Sequence, residues 1–88
     1  MSTPEVVMYL SDWCPHCRRA RALLESKGVA IKEIDVDMVP DARAEMLARG
    51  GGGTVPQIFI GGAAVGGADE LHALDATGRL DSMLKNGA

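Results

Sequence analysis

The chain predicts an α/β fold: one mixed four-stranded sheet with helices on both faces, in the order β-α-β-α-β-β-α. Three observations lead there. Short apolar runs alternate with stretches of helical spacing. The first two runs are separated by such a stretch, so their strands are parallel across a helical crossover. The last two are joined by Gly61-Gly62, a tight hairpin turn. With 88 residues, of which 47% are hydrophobic and 24% charged, the chain reads as a single domain, residues 1–88, with one core and little stability to spare. It shows no internal repeat, linker or second domain.

Val6–Leu10 (VVMYL) is a buried strand that ends at Ser11-Asp12. A helix follows. Pro15 suits its first turn, where no backbone donor is required. Cys17, Ala20, Leu23 and Leu24 share one face, Arg18, Arg21 and Glu25 point elsewhere, and Gly28 after Lys27 stops it. Ala30–Val36 is the second strand. Pro40 opens a second helix through DARAEMLAR, with Ala42, Met46 and Leu47 as its apolar face and Gly50 as its end. Residues 50 to 53 are glycines and form a loop. Gln57–Ile60 and Ala63–Val65 make the hairpin. Asp69 caps a last helix through Leu74, and Leu80–Leu84 adds a turn or two.

A net charge of −3 argues against a general nucleic-acid or membrane-surface binder, although Arg18, Arg19 and Arg21 cluster beside the cysteines. The apolar runs fall far short of a membrane span, and MSTPEVVMYL lacks the pattern of a signal peptide. The expectation is a soluble protein of a reducing compartment, most simply the cytoplasm.

Both cysteines lie in SDWCPHCRRA, with only Pro15 and His16 between them. A structural staple is a weak reading, because so short a loop constrains little chain entropy. A zinc site needs a second Cys/His pair, and the only other histidine is His72, alone on a predicted helix; no metal is assigned. A catalytic dithiol fits. If the helix starts at or just after Cys14, its sulfur meets the unpaired N–H groups of the first turn, which favour the thiolate. Cys17 lies one turn deeper on the same face, within reach of Cys14 but less open to solvent. Cys14 therefore attacks and Cys17 resolves. A protonated His16 would favour the thiolate further and raise the redox potential; a solvent-exposed filler is the plainer reading of the same residue. Arg18 and Arg19 either help electrostatically or form an ordinary solvated face. Trp13 is either a stacking surface that guards the sulfur or a large residue on a loop, and the methionines read as core filler.

The strand, the C-P-x-C helix start, TVPQIFI and GGADEL, in that order, resemble the glutaredoxins, particularly the small bacterial dithiol class. The likeness runs from about Val6 to Leu84 and is strengthened by GRLDSMLK. It implies a thioredoxin-like fold. It also implies that Val55-Pro56, after Thr54, is a cis-proline turn that faces the cysteines and offers Val55 backbone groups to a peptide-like ligand. Gly66-Gly67-Ala68-Asp69 resembles the family's site for the γ-glutamyl end of glutathione: backbone N–H groups of Ala68 and Asp69 would take the carboxylate, and the Asp69 side chain the ammonium.

Three positions depart from the family pattern. Ser11 stands where a lysine is usual, Gly51, Gly52 and Gly53 replace a cation or glutamine before the Thr-Val-Pro turn, and His16 replaces a tyrosine. Arg49, or Arg18 and Arg19, are the candidate substitutes for the missing cations. The Cys-Pro-His-Cys quartet is that of strongly oxidising periplasmic thiol oxidases, a likeness confined to those residues.

The resemblance thus implies a glutathione-dependent thiol–disulfide oxidoreductase. It would act on protein disulfides and protein–glutathione mixed disulfides, with glutathione as co-substrate, no tightly bound cofactor, and NADPH-linked glutathione reductase as the indirect electron source. A monomer is expected. Two rivals are a dithiol redoxin reduced by thioredoxin reductase and a glutathione-ligated [2Fe–2S] carrier. The carrier is disfavoured because a cluster needs four thiolates and one chain offers two.

Overall fold

Val6–Leu10 (β1) is buried along its whole length, as is Gln57–Ile60 (β3) beside it. Both strands are covered on two faces, which is why β1 is a continuous apolar run, and β3 one after Gln57, rather than alternating. The computed structural model describes residues 4–86; residues 1–3 and 87–88, included in the single-domain expectation, lie outside the described residues.

The remaining elements, in chain order, are α1 (Pro15–Ser26), β2 (Ile31–Asp35), α2 (Ala42–Ala48), β4 (Ala63–Gly66), α3 (Ala68–Ala76) and α4 (Arg79–Asn86). The sheet order is β2-β1-β3-β4. β1 pairs with β2 in parallel, Met8 opposite Glu33, and with β3 antiparallel, Met8 opposite Ile58. β3 and β4 form the antiparallel hairpin, with an irregularity in register between Ile58 and Phe59.

Alternation along the two central strands divides the core. Val6, Met8, Leu10, Ile58 and Ile60 pack on one face against Cys17, Ala20 and Leu24 of α1, Leu71 of α3, and Leu80 and Leu84 of α4. Val7, Tyr9 and Phe59 face the other way, against Ala42 and Met46 of α2. Tyr9 and Phe59 meet edge-to-face at 5.7 Å, and the Tyr9 hydroxyl donates to Glu45 Oε1 at 2.5 Å. On the three-helix face, Lys27 Nζ lies 2.6 Å from Asp75 and 2.9 Å from Asp81, tying the end of α1 to α3 and α4. Helices cover both faces of a thioredoxin-like sheet, as expected.

Several element ends differ from expectation. The second strand is one residue shorter at each end, and β4 extends to Gly66. α2 begins at Ala42 rather than Pro40, because Asp41 takes a left-handed conformation (φ 64) that the helix cannot include. Leu47 is 55% exposed and does not join the apolar face of α2; the helix is only seven residues long, and Ala42 and Met46 alone reach the sheet. Asp69 is not the cap of α3. That position is Gly67, whose N–H donates to Glu70 Oε1 at 2.7 Å, and Asp69 stands instead in the first turn. Gly66 permits the approach: its φ is 110, and a Cβ there would stand 3.0 Å from Glu70 Oε1.

Candidate active site

Pro15 occupies the first turn of α1, and Cys14 is its N-cap. An N-cap side chain faces the unpaired amides of the first turn. Here the thiol plays that part: Cys17 N–H donates to Cys14 Sγ at 3.3 Å. Both cysteines are free thiols. The Cys14 S–H in turn points at the Val55 carbonyl, 3.7 Å away. The Val55-Pro56 bond is cis, and the turn faces the cysteines as the resemblance implied.

The two sulfurs differ in access rather than in total burial. Cys14 is only 3% exposed and Cys17 2%. Cys14, however, borders an open cavity of about 620 Å³ whose other walls include Trp13, Arg43, Thr54 and Val55, and Cys17 does not line it. Burial pushes the Cys17 thiol from 9.0 up to about 12, with the neighbouring Cys14 thiol adding to the shift. At neutral pH Cys17 is therefore a protonated donor beneath Cys14.

A second cavity, of about 170 Å³, lies on the other side of the same turn, between Val55-Pro56 and Gly67, Ala68 and Asp69. The two cavities share His16, Thr54 and Val55 as walls and so adjoin, with Cys14 lining the larger of them. At the Asp69 end, Ala68 and Asp69 open α3, where first-turn N–H groups have no intrahelical acceptor.

The cation expected from Arg49 is not at this site. Arg49 Nη2 lies 3.6 Å from Glu45 Oε1 on the same helix, and the residue lines neither cavity. Its neighbour on α2, Arg43, borders the cysteine cavity instead. Sequence reasoning missed Arg43 because it belongs to no motif. Asp37 was missed too: it lies 3.4 Å from Arg43. The Ser11 hydroxyl is the largest influence holding the Asp37 carboxyl below the usual carboxylate range, with Arg43 and the Trp13 indole assisting. Ser11 is buried and its hydroxyl has no partner at full hydrogen-bond geometry among the described residues. The residue in place of a lysine thus faces an acid, and the cation that borders the cysteine cavity is Arg43, beside that acid. Trp13 is 69% exposed on the rim of the cysteine cavity.

The arginine cluster separates by partner. Arg21 binds Glu33 through two hydrogen bonds of 2.7 and 3.0 Å, and Arg18 reaches the Asp12 carbonyl at 3.4 Å. Arg19 Nη1 lies 2.9 Å from His16 Nδ1. A guanidinium can only donate, so Nδ1 is the acceptor in this contact. His72 lies partly buried on α3, its Nε2 without a partner among the described residues.

Comparison with known proteins agrees with this geometry. The family model for glutaredoxin matches residues 6–65. A glutaredoxin of Pseudomonas aeruginosa is 52% identical over 81 residues, covering 92% of this chain and 96% of the relative. The solution structure of a glutaredoxin from Brucella melitensis superposes with a TM-score of 0.86 at 50% identity, covering 100% of this chain and 96% of the other. A crystal structure of a buckwheat glutaredoxin–glutathione complex superposes with a TM-score of 0.82 at 29% identity, covering 92% and 76%. With its Cys14/Cys17 pair at the head of α1 and a cis Val55-Pro56 turn beside it, this chain belongs to the glutaredoxin family of thiol–disulfide oxidoreductases.

Proposed function

We propose that this oxidoreductase is glutathione-dependent, that residues 1–88 work as one unit and as a monomer, and that it reduces protein–glutathione mixed disulfides and protein disulfides in the cytoplasm. The observation that carries this reading is the pair of adjoining cavities: Cys14 and Arg43 line one, Asp69 and the start of α3 line the other, and His16, Thr54 and Val55 belong to both. Glutathione has a matching order of groups, a carboxylate at the glycine end, a thiol in the middle, and an ammonium and carboxylate at the γ-glutamyl end. Arg43 and Trp13 border the glycine end, the Val55 backbone runs beside the cysteine, and the N–H groups of Ala68 and Asp69 meet the γ-glutamyl carboxylate. The Asp69 carboxylate takes the ammonium. Thr54, Pro56 and Gly67 shape the wall between. The glutathione held by the buckwheat relative supports the assignment.

In the reaction, Cys14 thiolate attacks the glutathione sulfur of a mixed disulfide, forming Cys14–S–S–glutathione and expelling the protein thiolate, which takes up a proton. A second glutathione thiolate then attacks the glutathione sulfur, releasing glutathione disulfide and restoring Cys14. With a protein disulfide, Cys17 instead attacks the Cys14 sulfur of the mixed disulfide, expels the substrate thiol and leaves a Cys14–Cys17 disulfide. Two glutathiones reduce that bridge, and NADPH-linked glutathione reductase recycles the glutathione disulfide. Pro15 starts the helix that presents Cys14, and His16 lies next to it on the cavity wall and contacts Arg19.

The test is glutathione-coupled turnover of a small glutathione mixed disulfide, with NADPH and glutathione reductase. Wild type is expected to turn over, Cys14→Ser to be inactive, and Cys17→Ser to remain active. Absence of turnover in wild type would overturn glutathione dependence and direct attention to thioredoxin reductase as donor.

A further inference from the structure

In the free protein the carboxylate that a γ-glutamyl ammonium would meet is already engaged. Arg19 Nη1 and Nη2 lie 3.5 and 3.4 Å from Asp69 Oδ1, across 50 residues of chain, joining α1 to the first turn of α3. His16 holds the same guanidinium from the other side, Nδ1 to Nη1 at 2.9 Å. The one guanidinium thus touches both side chains, and His16 and Asp69 are walls of the smaller cavity. This contact does little for the fold: the side chains are 45% and 82% exposed, and such pairs contribute little to stability. Its consequence falls on binding.

We propose that Arg19 is an intramolecular competitor for the ligand ammonium and so sets how strongly the site discriminates for a γ-glutamyl group. The proposal rests on the γ-glutamyl reading of the smaller cavity. A ligand ammonium arriving at Asp69 exchanges one ion pair for another, so the net gain is the difference between them. A disulfide substrate without an ammonium leaves the Arg19–Asp69 pair in place and meets a neutralised carboxylate instead of a bare negative charge. Arg19 thereby narrows the gap between glutathionyl and other disulfides. Arg19 touches no reacting atom; it acts through Asp69.

Because removing an arginine also weakens the general attraction for an anionic ligand, the test is a double-mutant cycle. KM and kcat for the mixed disulfide of glutathione and 2-mercaptoethanol are measured for wild type, Arg19→Ala, Asp69→Asn and the double variant. Competition predicts that Arg19→Ala is more favourable to kcat/KM with Asp69 present than in the Asp69→Asn background, by about two- to fivefold, the range of an exposed ion pair. The difference should reside in KM, not kcat. Equal effects of Arg19→Ala in the two backgrounds would mean independent charges and would overturn the proposal. So would a loss confined to the background with Asp69, which would mean that Arg19 merely holds Asp69 in position. If Asp69→Asn alone leaves KM unchanged, the γ-glutamyl reading itself fails, and the competition fails with it.

Discussion

Cys17 is expected to react as a buried neutral thiol, and its rate can be worked out before it is measured. The perturbation is Cys14→Ser, which leaves Cys17 as the one sulfur nucleophile. In the wild type its thiol is pushed up from 9.0 to about 12; burial, the first cause, persists in the variant while the Cys14 contribution is altered, so about 12 is the upper end of what the variant should show. At pH 7 a group titrating at about 12 holds a thiolate fraction of about 10⁻⁵, a tenfold loss for each unit. An ordinary thiol near 8.5 holds about 3%, roughly 3,000 times more. Greater basicity brings greater intrinsic nucleophilicity, with a Brønsted slope of about 0.4–0.5, which over about 3.5 units recovers roughly 25- to 55-fold. At that upper end the net expectation is a reaction about 100-fold slower than a model thiol, with any steric shielding adding to that. The assay is reaction with a small aromatic disulfide that releases a coloured thiol, followed from pH 6 to pH 10. The logarithm of the rate should climb with unit slope throughout. A plateau below about pH 9, or a rate equal to the model thiol, would refute a Cys17 proton held by burial.

Two further predictions concern stability. Cys17 and Tyr9 are both raised to about 12, Tyr9 by burial first and by its hydrogen bond to Glu45 second. For each, the unfolded chain ionises at lower pH than the folded one. Their contribution is therefore complete below pH 9 and is lost as pH rises toward 12. Denaturant midpoints should fall across that window, and Tyr9→Phe should flatten the fall above pH 10, the ordinary value for Tyr9; an unchanged profile would contradict the assignment. In the glycine loop, a Cβ on Gly51 would stand 3.0 Å from both the Met46 carbonyl oxygen and Phe59 Cζ, while one on Gly53 meets nothing within 4 Å. Gly51→Ala should cost about 1–3 kcal/mol by overpacking, and Gly53→Ala close to nothing, as read by chemical denaturation. Equal effects would mean that the loop does not pack as described.

Features written in neighbouring residues were legible before any coordinates. Pro15 beside Cys14 marks a helix start, Gly28 marks its end, and the uninterrupted apolar runs of β1 and β3 mark strands covered on both faces. The C-P-x-C spacing assigns an outer and an inner thiol, because one helical turn separates them. Element ends were less legible where a single backbone angle decides them. Asp41 turning left-handed moved the start of α2, and Glu70 reaching back to Gly67 displaced Asp69 as the cap.

The pair of cavities belongs to the fold. Arg43 carries no motif and becomes part of the site because α2 packs on Val7, Tyr9 and Phe59 and presents its flank to the cysteine cavity. The same packing leaves Arg49 against Glu45 and outside both cavities, so the cation nearest in sequence to the Thr-Val-Pro turn is not the one that lines them. Arg19 meets Asp69 only because α1 and α3 lie on one face of the sheet. Charge identity is a property of each residue, but which charges neutralise one another depends on distances of a few ångströms between elements remote in the chain. Linear order names the nucleophile; the docking of helices onto the sheet decides which charges stand around it.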